Sequence, residues 1–250
     1  PYSPNSWEQT SHQEKNSSKP TPTWLIWMCR PMSRVFLASE INYTASHIAN
    51  KLEKPANSYK TLYINTASEE MEPNQIWEQK NRKGLTDAGF KLTNYTITGK
   101  SSNSIKQALD LADIIHINGG DTFYLLEQIQ KTNAKPLFQN FINRGGIYIS
   151  SSAGSIVAGS NIDHAWYSDH KENQKLQSTT GLELINANIL CHWGREENRE
   201  TFFNHRIPRT YNDRTKLILL TDYQYIEVTK AIHFTQYSQN NNVHDNTTKI

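Results

Sequence analysis

Short apolar runs alternate along this chain with longer segments whose apolar residues recur at helical spacing. Several early runs are continuous stretches of β-branched and aromatic residues, which is typical of strands covered on both faces. The predicted strands are Val35–Ala38, Thr61–Asn65, Leu92–Thr98, Ile114–Ile117, Ile147–Ser150, Ala187–Cys191, Leu217–Leu220 and Tyr225–Val228. The predicted helices are Ala45–Leu52, Ile76–Gly89, Ser104–Ala112, Phe123–Thr132, Leu137–Arg144 and Ser155–Ala158. This alternation predicts an α/β fold, a doubly wound and mostly parallel sheet with helices on both faces.

Polar segments lie at the two ends of this pattern. Residues 1–31 are rich in Ser, Pro, Asn, Gln and Thr without an apolar period, so burial would not offset the entropy lost on ordering them. We interpret them as a disordered or non-native extension. Residues 236–250 are equally polar and are predicted to form a frayed tail. One folded domain is therefore predicted over residues 32–235.

The composition argues against several classes of protein. The 26 Lys and Arg residues nearly balance the 24 Asp and Glu residues, and no basic stripe interleaved with aromatic residues indicates nucleic-acid binding. Two cysteines, Cys29 and Cys191, cannot form a disulfide framework and favour a reducing compartment. The apolar run over residues 24–29 is too short to cross a bilayer and follows a polar stretch, unlike a signal peptide. We expect a cytoplasmic protein without membrane or nucleic-acid partners.

The predicted strand Ile147–Ser150 runs directly into a helix through Ser151, Ser152, Ala153 and Gly154. The small neighbours suit a crowded backbone, and a serine in such a turn projects from the edge of the sheet, as in a nucleophile elbow. The usual first glycine of Gly-x-Ser-x-Gly is a serine here. The alternative interpretation is an ordinary turn in which Ser152 caps the helix.

A second turn, Gly119-Gly120, joins the predicted strand Ile114–Ile117 to the predicted helix Phe123–Thr132. Adjacent glycines let amide N–H groups approach a ligand, and the start of a helix favours negative charge. An oxyanion hole requires these properties, although a phosphate-binding or merely tight turn is the alternative. In a doubly wound sheet, ligands bind outside the carboxyl ends of the strands, and both turns lie there.

His192 follows the predicted strand Ala187–Cys191 and is expected at the same edge of the sheet. Imidazole titrates near neutral pH, which suits a general base. The other histidines lie on predicted helix surfaces, within strands, in a polar loop or in the tails. Two of them, His164 and His170, have aspartates beside them, but their spacing fits no metal-ligand motif. No metal is predicted.

Taken together, these segments resemble the peptidase E family of serine peptidases, which includes aspartyl dipeptidases and is related to cyanophycinase. The resemblance covers the chain from about Ser33 to Lys230. It rests on five segments in this order: Arg34–Ser39, Gly119–Phe123, Ser151–Gly154, His192–Gly194 and Leu220–Asp222. It implies a fold similar to the α/β sandwich of class I glutamine amidotransferases, and a hydrolytic function for the folded domain.

The resemblance also implies a role for individual residues. Ser152 occupies the position of the nucleophile, and His192 occupies that of the base. The family's oxyanion hole corresponds to the amides of Gly119, Gly120 and Ala153.

A carboxylate should complete the triad by holding the imidazole in one tautomer. Asp222 matches the family's acidic position and is favoured, and its rivals are Asp163 and Asp169 in the loop after the elbow. The order Ser, His, Asp differs from that of the α/β-hydrolases, in which the acid precedes the histidine. A thiol enzyme is disfavoured, because the elbow carries serine and Cys191 adjoins the base.

The segment after His192 is shorter than the loop that carries a substrate-binding arginine in aspartyl dipeptidases. Arg195 and Arg199 are the candidates for such a contact, since a guanidinium group matches a carboxylate. The alternative is that both are solvated charges on a helix face. The resemblance therefore does not predict that this chain is specific for aspartyl substrates.

These observations predict a serine peptidase that hydrolyses short peptides through a Ser-His-Asp triad and an acyl-enzyme, without a cofactor. A small peptide is the expected partner, and a homodimer is left open. Two alternatives remain at this stage. One is a non-catalytic binding module on the same fold, and the other is an amidase or esterase that acts on non-peptide substrates.

Overall fold

Ten strands and eight α-helices make up the part of the chain that the computed structural model describes. Side chains are described for residues 34–72, 75–167, 175–212 and 214–229, and the backbone is described for two later strands. The strands are β1 Arg34–Ala38, β2 Thr61–Ile64, β3 Leu92–Tyr95, β4 Ile114–Ile117, β5 Ile147–Ser151, β6 Asn188–Cys191, β7 Leu217–Leu220, β8 Gln224–Val228, β9 Ile232–Gln236 and β10 His244–Thr248. The predicted extension over residues 1–31 lies outside the described residues.

Eight of the strands form one sheet in the order β10-β9-β8-β1-β5-β4-β2-β3. The five strands from β1 to β3 in this order are parallel, whereas β8, β9 and β10 pair antiparallel. The register aligns Ala38 with Ser151 and Ile117 with Ser150, so the carboxyl ends of three strands meet at one edge. Strands β6 and β7 form a separate parallel pair, in which Cys191 aligns with Leu220.

The longer helices fall where the helical spacing predicts them. They are α1 Ile41–Lys51, α2 Ile76–Asp87, α3 Ser102–Asp110, α4 Thr122–Lys131, α5 Ala134–Asn143 and α6 Ala153–Ala158. A helical segment that the sequence does not predict follows β6: a 3₁₀ turn over Glu196–Asn198, α7 Arg199–Thr201, a π-helical turn over Phe202–Arg206 and α8 Ile207–Thr210.

Alternate residues of β1 point to opposite faces of the sheet and enter two different apolar cores. Val35 and Leu37 belong to the larger core, and Phe36 and Ala38 belong to the smaller one. The larger core includes buried side chains of α3 to α6, and the smaller includes those of α1 and α2. Burying a large apolar side chain contributes about 1.5–3 kcal/mol. The packing of helices on both faces of the sheet therefore stabilises the fold. The predicted α/β fold is confirmed.

Several element boundaries differ from the prediction, and two of the differences have a local explanation. Helix α1 begins at Ile41 rather than Ala45, since Ile41, Thr44, Ala45 and Ile48 are all buried and share one helix face. Strand β3 ends at Tyr95 because the chain then leaves the sheet. The backbone N–H of Ile97 donates to the hydroxyl of Thr66 at 3.1 Å instead of to a neighbouring strand.

The sequence analysis did not predict the last two strands. The polar segment expected to fray supplies β10, in which His244–Thr248 pairs antiparallel with Ile232–Gln236 of β9. Ladder hydrogen bonds join backbone groups, so a strand at the edge of a sheet needs no apolar side chains to pair. Among the described residues, no helix has the length and apolar character needed to cross a membrane.

Candidate active site

Ser152 lies in a sharp turn between β5 and α6. Its backbone has φ 48° and ψ −112°, a conformation that L-residues rarely adopt and that costs about 1–3 kcal/mol. The backbone N–H of Ser152 donates to the carbonyls of Ala38 and Ser39 at 3.1 Å each, which holds the turn against the end of β1. Gly154 is required beside it, since a Cβ there would lie 2.2 Å from the carbonyl oxygen of Ile117. The turn therefore has the strained geometry of a nucleophile elbow.

His192 follows β6 and points its ring at this serine. The Nε2 atom of His192 lies 2.8 Å from the Oγ atom of Ser152. The residue has φ 66°, and its backbone N–H donates to the hydroxyl of Ser39 at 2.8 Å. The imidazole is thus oriented by the chain at the end of β1, within reach of the serine proton.

Asp222 lies in the turn between β7 and β8, on the other side of the imidazole. Its Oδ1 atom is 2.8 Å from Nδ1 of His192 and also accepts a hydrogen bond from the Ser39 hydroxyl at 3.2 Å. Burial raises the pKa of Asp222, but hydrogen bonds from His192 and Arg195 outweigh this effect and lower the pKa below its usual range. Asp222 is therefore ionised and placed to hold the imidazole in one tautomer.

One of the two rival aspartates is described, and its described ion pair is with an arginine. Asp163 pairs with Arg209 at 3.1 Å. Asp169 lies outside the described residues. The structure thus brings Asp222, the favoured residue, to the imidazole of His192.

The Gly119-Gly120 turn packs directly against the serine. A Cβ on Gly119 would lie 3.1 Å from Cβ of Ser152. Gly120 has φ 136°, and a Cβ there would lie 2.1 Å from the carbonyl oxygen of Ala67. Within the described residues, no hydrogen bond involving the amides of Gly119, Gly120 or Ala153 is present. Gly119 and Gly120 line the same cavity as Ser152, and Ala153 directly follows the serine.

The two arginines proposed for substrate binding lie in different surroundings. Arg195 donates from Nε to Oδ2 of Asp222 at 2.6 Å and from Nη2 to Oε1 of Glu40 at 2.7 Å. Arg199 is 68% exposed and pairs with Glu196 at 3.5 Å, so it behaves as the solvated helix charge that was the alternative. The structure therefore brings Arg195 to the site and leaves Arg199 on the surface.

A cavity of about 340 Å³ opens above Ser152 and His192. Its apolar lining residues are Met71, Trp77, Ile156 and Ala165. The polar lining residues are Glu40, Asn81, Thr122, Arg195, Asn198 and Arg206, together with the Gly119-Gly120 turn. A cavity of this size is at the lower end of those that bind small ligands.

Glu40, His192 and Asp222 place their ligand atoms within 4.8 Å of one another, which is a spacing that metal sites also show. Here the guanidinium of Arg195 binds both carboxylates. The guanidinium thus already offsets one of the two negative charges, and Nδ1 of His192 is engaged by Asp222. The arrangement is an ion-pair network around the histidine.

The residues of the site that were not singled out from the sequence include Ser39, Glu40 and Trp77. Ser39 and Glu40 directly follow β1. The rule that placed Ser152 and Gly119 at the carboxyl edge applies equally to them, so the signal was present. Trp77 lies on α2, and no local sequence pattern connects it with the Gly119-Gly120 turn.

A serine, a histidine and a carboxylate joined in this order at the carboxyl edge of an α/β sheet define the class of serine hydrolases. Comparison with known proteins specifies the class further. The chain belongs to peptidase family S51, whose family model matches residues 34–233. It is accordingly a serine-type peptidase related to peptidase E.

Relatives in sequence agree with this assignment. An uncharacterized peptidase of Listeria monocytogenes is 24% identical over 196 residues, which cover 78% of this chain and 94% of that protein. An uncharacterized peptidase of Pasteurella multocida is 27% identical over 65% of this chain and 78% of its own length. Peptidase E of Haemophilus influenzae is 35% identical over 86 residues, which cover 34% of this chain and 38% of the relative.

Solved structures show the same fold. A Listeria monocytogenes protein, provisionally described as a peptidase E, superposes with a TM-score of 0.71 and 22% identity, covering 83% of this chain and all of that one. A peptidase from an acI-B1 Actinobacterium superposes with a TM-score of 0.56 and 15% identity, covering 87% and 95% of the two chains. At these identities the likeness is one of fold alone.

Proposed function

We propose that this protein hydrolyses short peptides through a triad of Ser152, His192 and Asp222 and a covalent acyl-enzyme. The observation that carries the proposal is the 2.8 Å separation between Oγ of Ser152 and Nε2 of His192. It is supported by the second contact, at 2.8 Å, between Nδ1 of the same ring and Asp222. A nucleophile, a base and an orienting acid in this geometry are what acyl transfer requires.

In the first half of the reaction, Ser152 gives its hydroxyl proton to Nε2 of His192 while Oγ forms a bond to the peptide carbonyl carbon. The carbonyl oxygen becomes an oxyanion between the amides of the Gly119-Gly120 turn and Ala153. Each such donor contributes on the order of 10²–10³ in rate. When the tetrahedral intermediate collapses, the C–N bond breaks, and the leaving amine takes the proton from His192.

In the second half, the ester on Ser152 is hydrolysed. His192 removes a proton from a water molecule, and the resulting hydroxide attacks the ester carbon. The oxyanion forms again at the same amides, and collapse of this intermediate returns the proton from His192 to Oγ of Ser152. Asp222 remains ionised throughout and stabilises the imidazolium that forms in each half. All of these steps use side chains and amides of this chain.

Substrate size is inferred from the cavity. Its volume of about 340 Å³ is at the small end of ligand-binding sites, which suits a peptide of a few residues better than a folded protein. Trp77, Met71, Arg195 and Asn198 are among the residues that line it.

Hydrolysis of a dipeptide and tripeptide library by wild type and Ser152→Ala tests this proposal. The variant is expected to lose activity by about 10³-fold or more, and a fluorophosphonate probe is expected to label the wild type at Ser152 only. Ser151→Ala is the matched control. Its buried hydroxyl contacts Ser39 and the backbone N–H of Ile41, so this variant should keep its reaction with the probe. A fully active Ser152→Ala would refute the triad, and a folded wild type that neither cleaves nor labels would favour the non-catalytic binding module.

A further inference from the structure

Two carboxylates and one guanidinium meet on the side of His192 that faces away from Ser152. Nδ1 of His192 lies 2.8 Å from Asp222 and 3.9 Å from Glu40. Arg195 connects these carboxylates through Nε and Nη2, at 2.6 and 2.7 Å. All four side chains are partly buried, with 15–34% of each exposed. Charges in such surroundings interact more strongly than they do at an exposed surface.

From this geometry we infer that Arg195 and Glu40 are positioning residues, which orient Asp222 and set the charge that His192 experiences. The inference rests on the proposed function of the triad. It replaces the prediction that Arg195 binds the substrate, because both of its bonded nitrogens are directed at carboxylates of the protein itself.

The first part of the inference concerns orientation. Each oxygen of Asp222 has its own donor: Oδ1 bonds to His192 and Oδ2 bonds to Arg195. A carboxylate held at both oxygens keeps its plane fixed, and the planar guanidinium is well suited to hold it. Glu40 in turn holds the other end of Arg195. Removal of the guanidinium would leave Asp222 held only at Oδ1, by His192 and Ser39, and would loosen the plane of the carboxylate.

The second part concerns charge. While the imidazole is neutral, Glu40, Asp222 and Arg195 together carry one net negative charge, which the imidazolium formed during catalysis would cancel. Without Arg195, the cluster carries two negative charges and binds the proton on His192 more tightly. Without the charge of Glu40, the cluster is neutral and binds that proton more weakly. The two substitutions should therefore shift the acid limb of the activity profile in opposite directions.

Other charged and titratable groups also face this region, and they stay unchanged in the comparison. Arg206 donates to the carbonyl of Cys191, the residue before His192, at 3.4 Å, and its Nη2 lies 3.4 Å from His164. Burial raises the pKa of the Cys191 thiol to about 12, so it stays neutral. Tyr223 follows Asp222 and packs against another tyrosine ring at 4.6 Å. Because these groups are common to all the variants, differences between variants report on Arg195 and Glu40.

The test is the pH dependence of kcat/KM, measured with one cleaved peptide, for wild type, Arg195→Met and Glu40→Gln. For Arg195→Met, the midpoint of the acid limb is expected to rise by about one pH unit, and for Glu40→Gln it is expected to fall by about one unit. Arg195→Lys keeps the charge without the forked geometry. It should hold the midpoint near that of wild type while kcat falls.

Lys83→Met and Asp87→Asn serve as matched controls. They remove the same charges from an exposed ion pair on α2 and should leave the profile unchanged. Labelling of Ser152 by the fluorophosphonate probe, together with thermal unfolding, shows separately that each variant is folded and reactive. If Arg195→Met does not fold, the direction of the Glu40→Gln shift decides the question.

Opposite shifts would support the inference. Midpoints that stay together or move in the same direction, in variants that label at Ser152, would overturn it and leave the triad intact. A wild type that neither cleaves peptides nor labels would instead overturn the proposed function, and this inference with it.

Discussion

Asp222 and His192 are 30 positions apart in the chain, yet Oδ1 of the first lies 2.8 Å from Nδ1 of the second. The contact follows from the pairing of β6 with β7, which aligns Cys191 with Leu220. The residues that follow the two strands then emerge side by side. Since the N–H of Trp193 also donates to the carbonyl of Leu220 at 3.0 Å, the chain around the histidine is fixed relative to the acid.

Substitution of the acid should reveal this arrangement. We expect Asp222→Asn to lower kcat by about 10³–10⁴-fold, since an amide can donate to Nδ1 and stabilise the wrong tautomer of His192. Asp163→Asn should retain nearly full activity, because Asp163 pairs with Arg209 and not with the histidine. Steady-state kinetics of the two variants with one peptide would distinguish the acids. A loss in Asp163→Asn alone would contradict the assignment.

Gly120→Ala should damage both stability and catalysis. Its φ of 136° is unfavourable for alanine, and the new Cβ would lie 2.1 Å from the carbonyl oxygen of Ala67. We expect the free energy of unfolding to fall by about 2 kcal/mol or more, and kcat to fall by about 10²-fold as the oxyanion turn moves.

A second glycine provides the control for that experiment. Gly99 has φ 68°, and a Cβ there would meet nothing within 4 Å. Gly99→Ala should therefore cost only about 1–2 kcal/mol of backbone strain and leave kcat unchanged. Urea denaturation and kinetics of both variants make the comparison. If Gly120→Ala and Gly99→Ala had the same kcat, the position of the Gly119-Gly120 turn would not matter for catalysis.

Stability should decline in mild acid because of a buried histidine. His116 on β4 is fully buried and stacks on Tyr63 with 5.2 Å between ring centroids. Burial lowers the pKa of this imidazole from 6.5 to about 3. The native state thus favours the neutral ring. The contribution of His116 to the free energy of unfolding is therefore fully present above pH 6.5. It is lost as the pH falls from 6.5 toward about 3.

This decline can be measured by urea denaturation at several pH values between 7.5 and 4.5. The contribution of His116 amounts to at most about 1.4 kcal/mol per pH unit below 6.5. His116→Gln removes the titrating group and should give a shallower decline. The decline should persist in part, because burial also lowers the pKa of His164 well below its usual range. An unchanged slope in the variant would exclude His116 as a source.

The thiol of Cys191 should be unreactive in the folded protein. It is fully buried, and burial raises its pKa to about 12, so almost no thiolate exists at pH 8. Iodoacetamide at that pH should leave peptidase activity intact and leave Cys191 unmodified by mass spectrometry, whereas unfolding in guanidinium should expose it. Loss of activity together with modification of Cys191 would instead indicate a thiol enzyme.

Seven of the ten described strands agree with the prediction to within one residue, namely β1, β2, β4, β5, β6, β7 and β8. Short and largely apolar runs that pack into a core are the clearest signal of a strand. Strands β9 and β10 were missed, since pairing at the edge of the sheet depends on backbone groups that leave no apolar pattern. The helical segment after β6 was missed because its pattern is irregular: the charged Arg206 is buried, whereas the apolar Phe203 is exposed.

The candidate site shows a different limit. Ser152, His192 and Asp222 could be chosen because each follows a predicted strand. The expectation that His192 lies at the edge of the same sheet as Ser152 was wrong, because β6 and β7 form a separate pair beside the main sheet. The positioning role that we infer for Arg195 could not be predicted in this way. The sequence shows that a guanidinium is present, but its partners, Asp222 and Glu40, come from segments far apart in the chain, and only the fold reveals that they meet.

The antiparallel pairing of β1 with β8 fixes when the catalytic centre becomes complete. Ala38 lies opposite Tyr225, so Ser39 and the aspartate three residues before Tyr225 meet only after the last third of the chain has joined the first strand. A polypeptide still emerging from the ribosome, synthesised as far as residue 212, would contain the serine and the histidine without their acid. Newly made chains would therefore stay inert towards peptides until synthesis has passed β8.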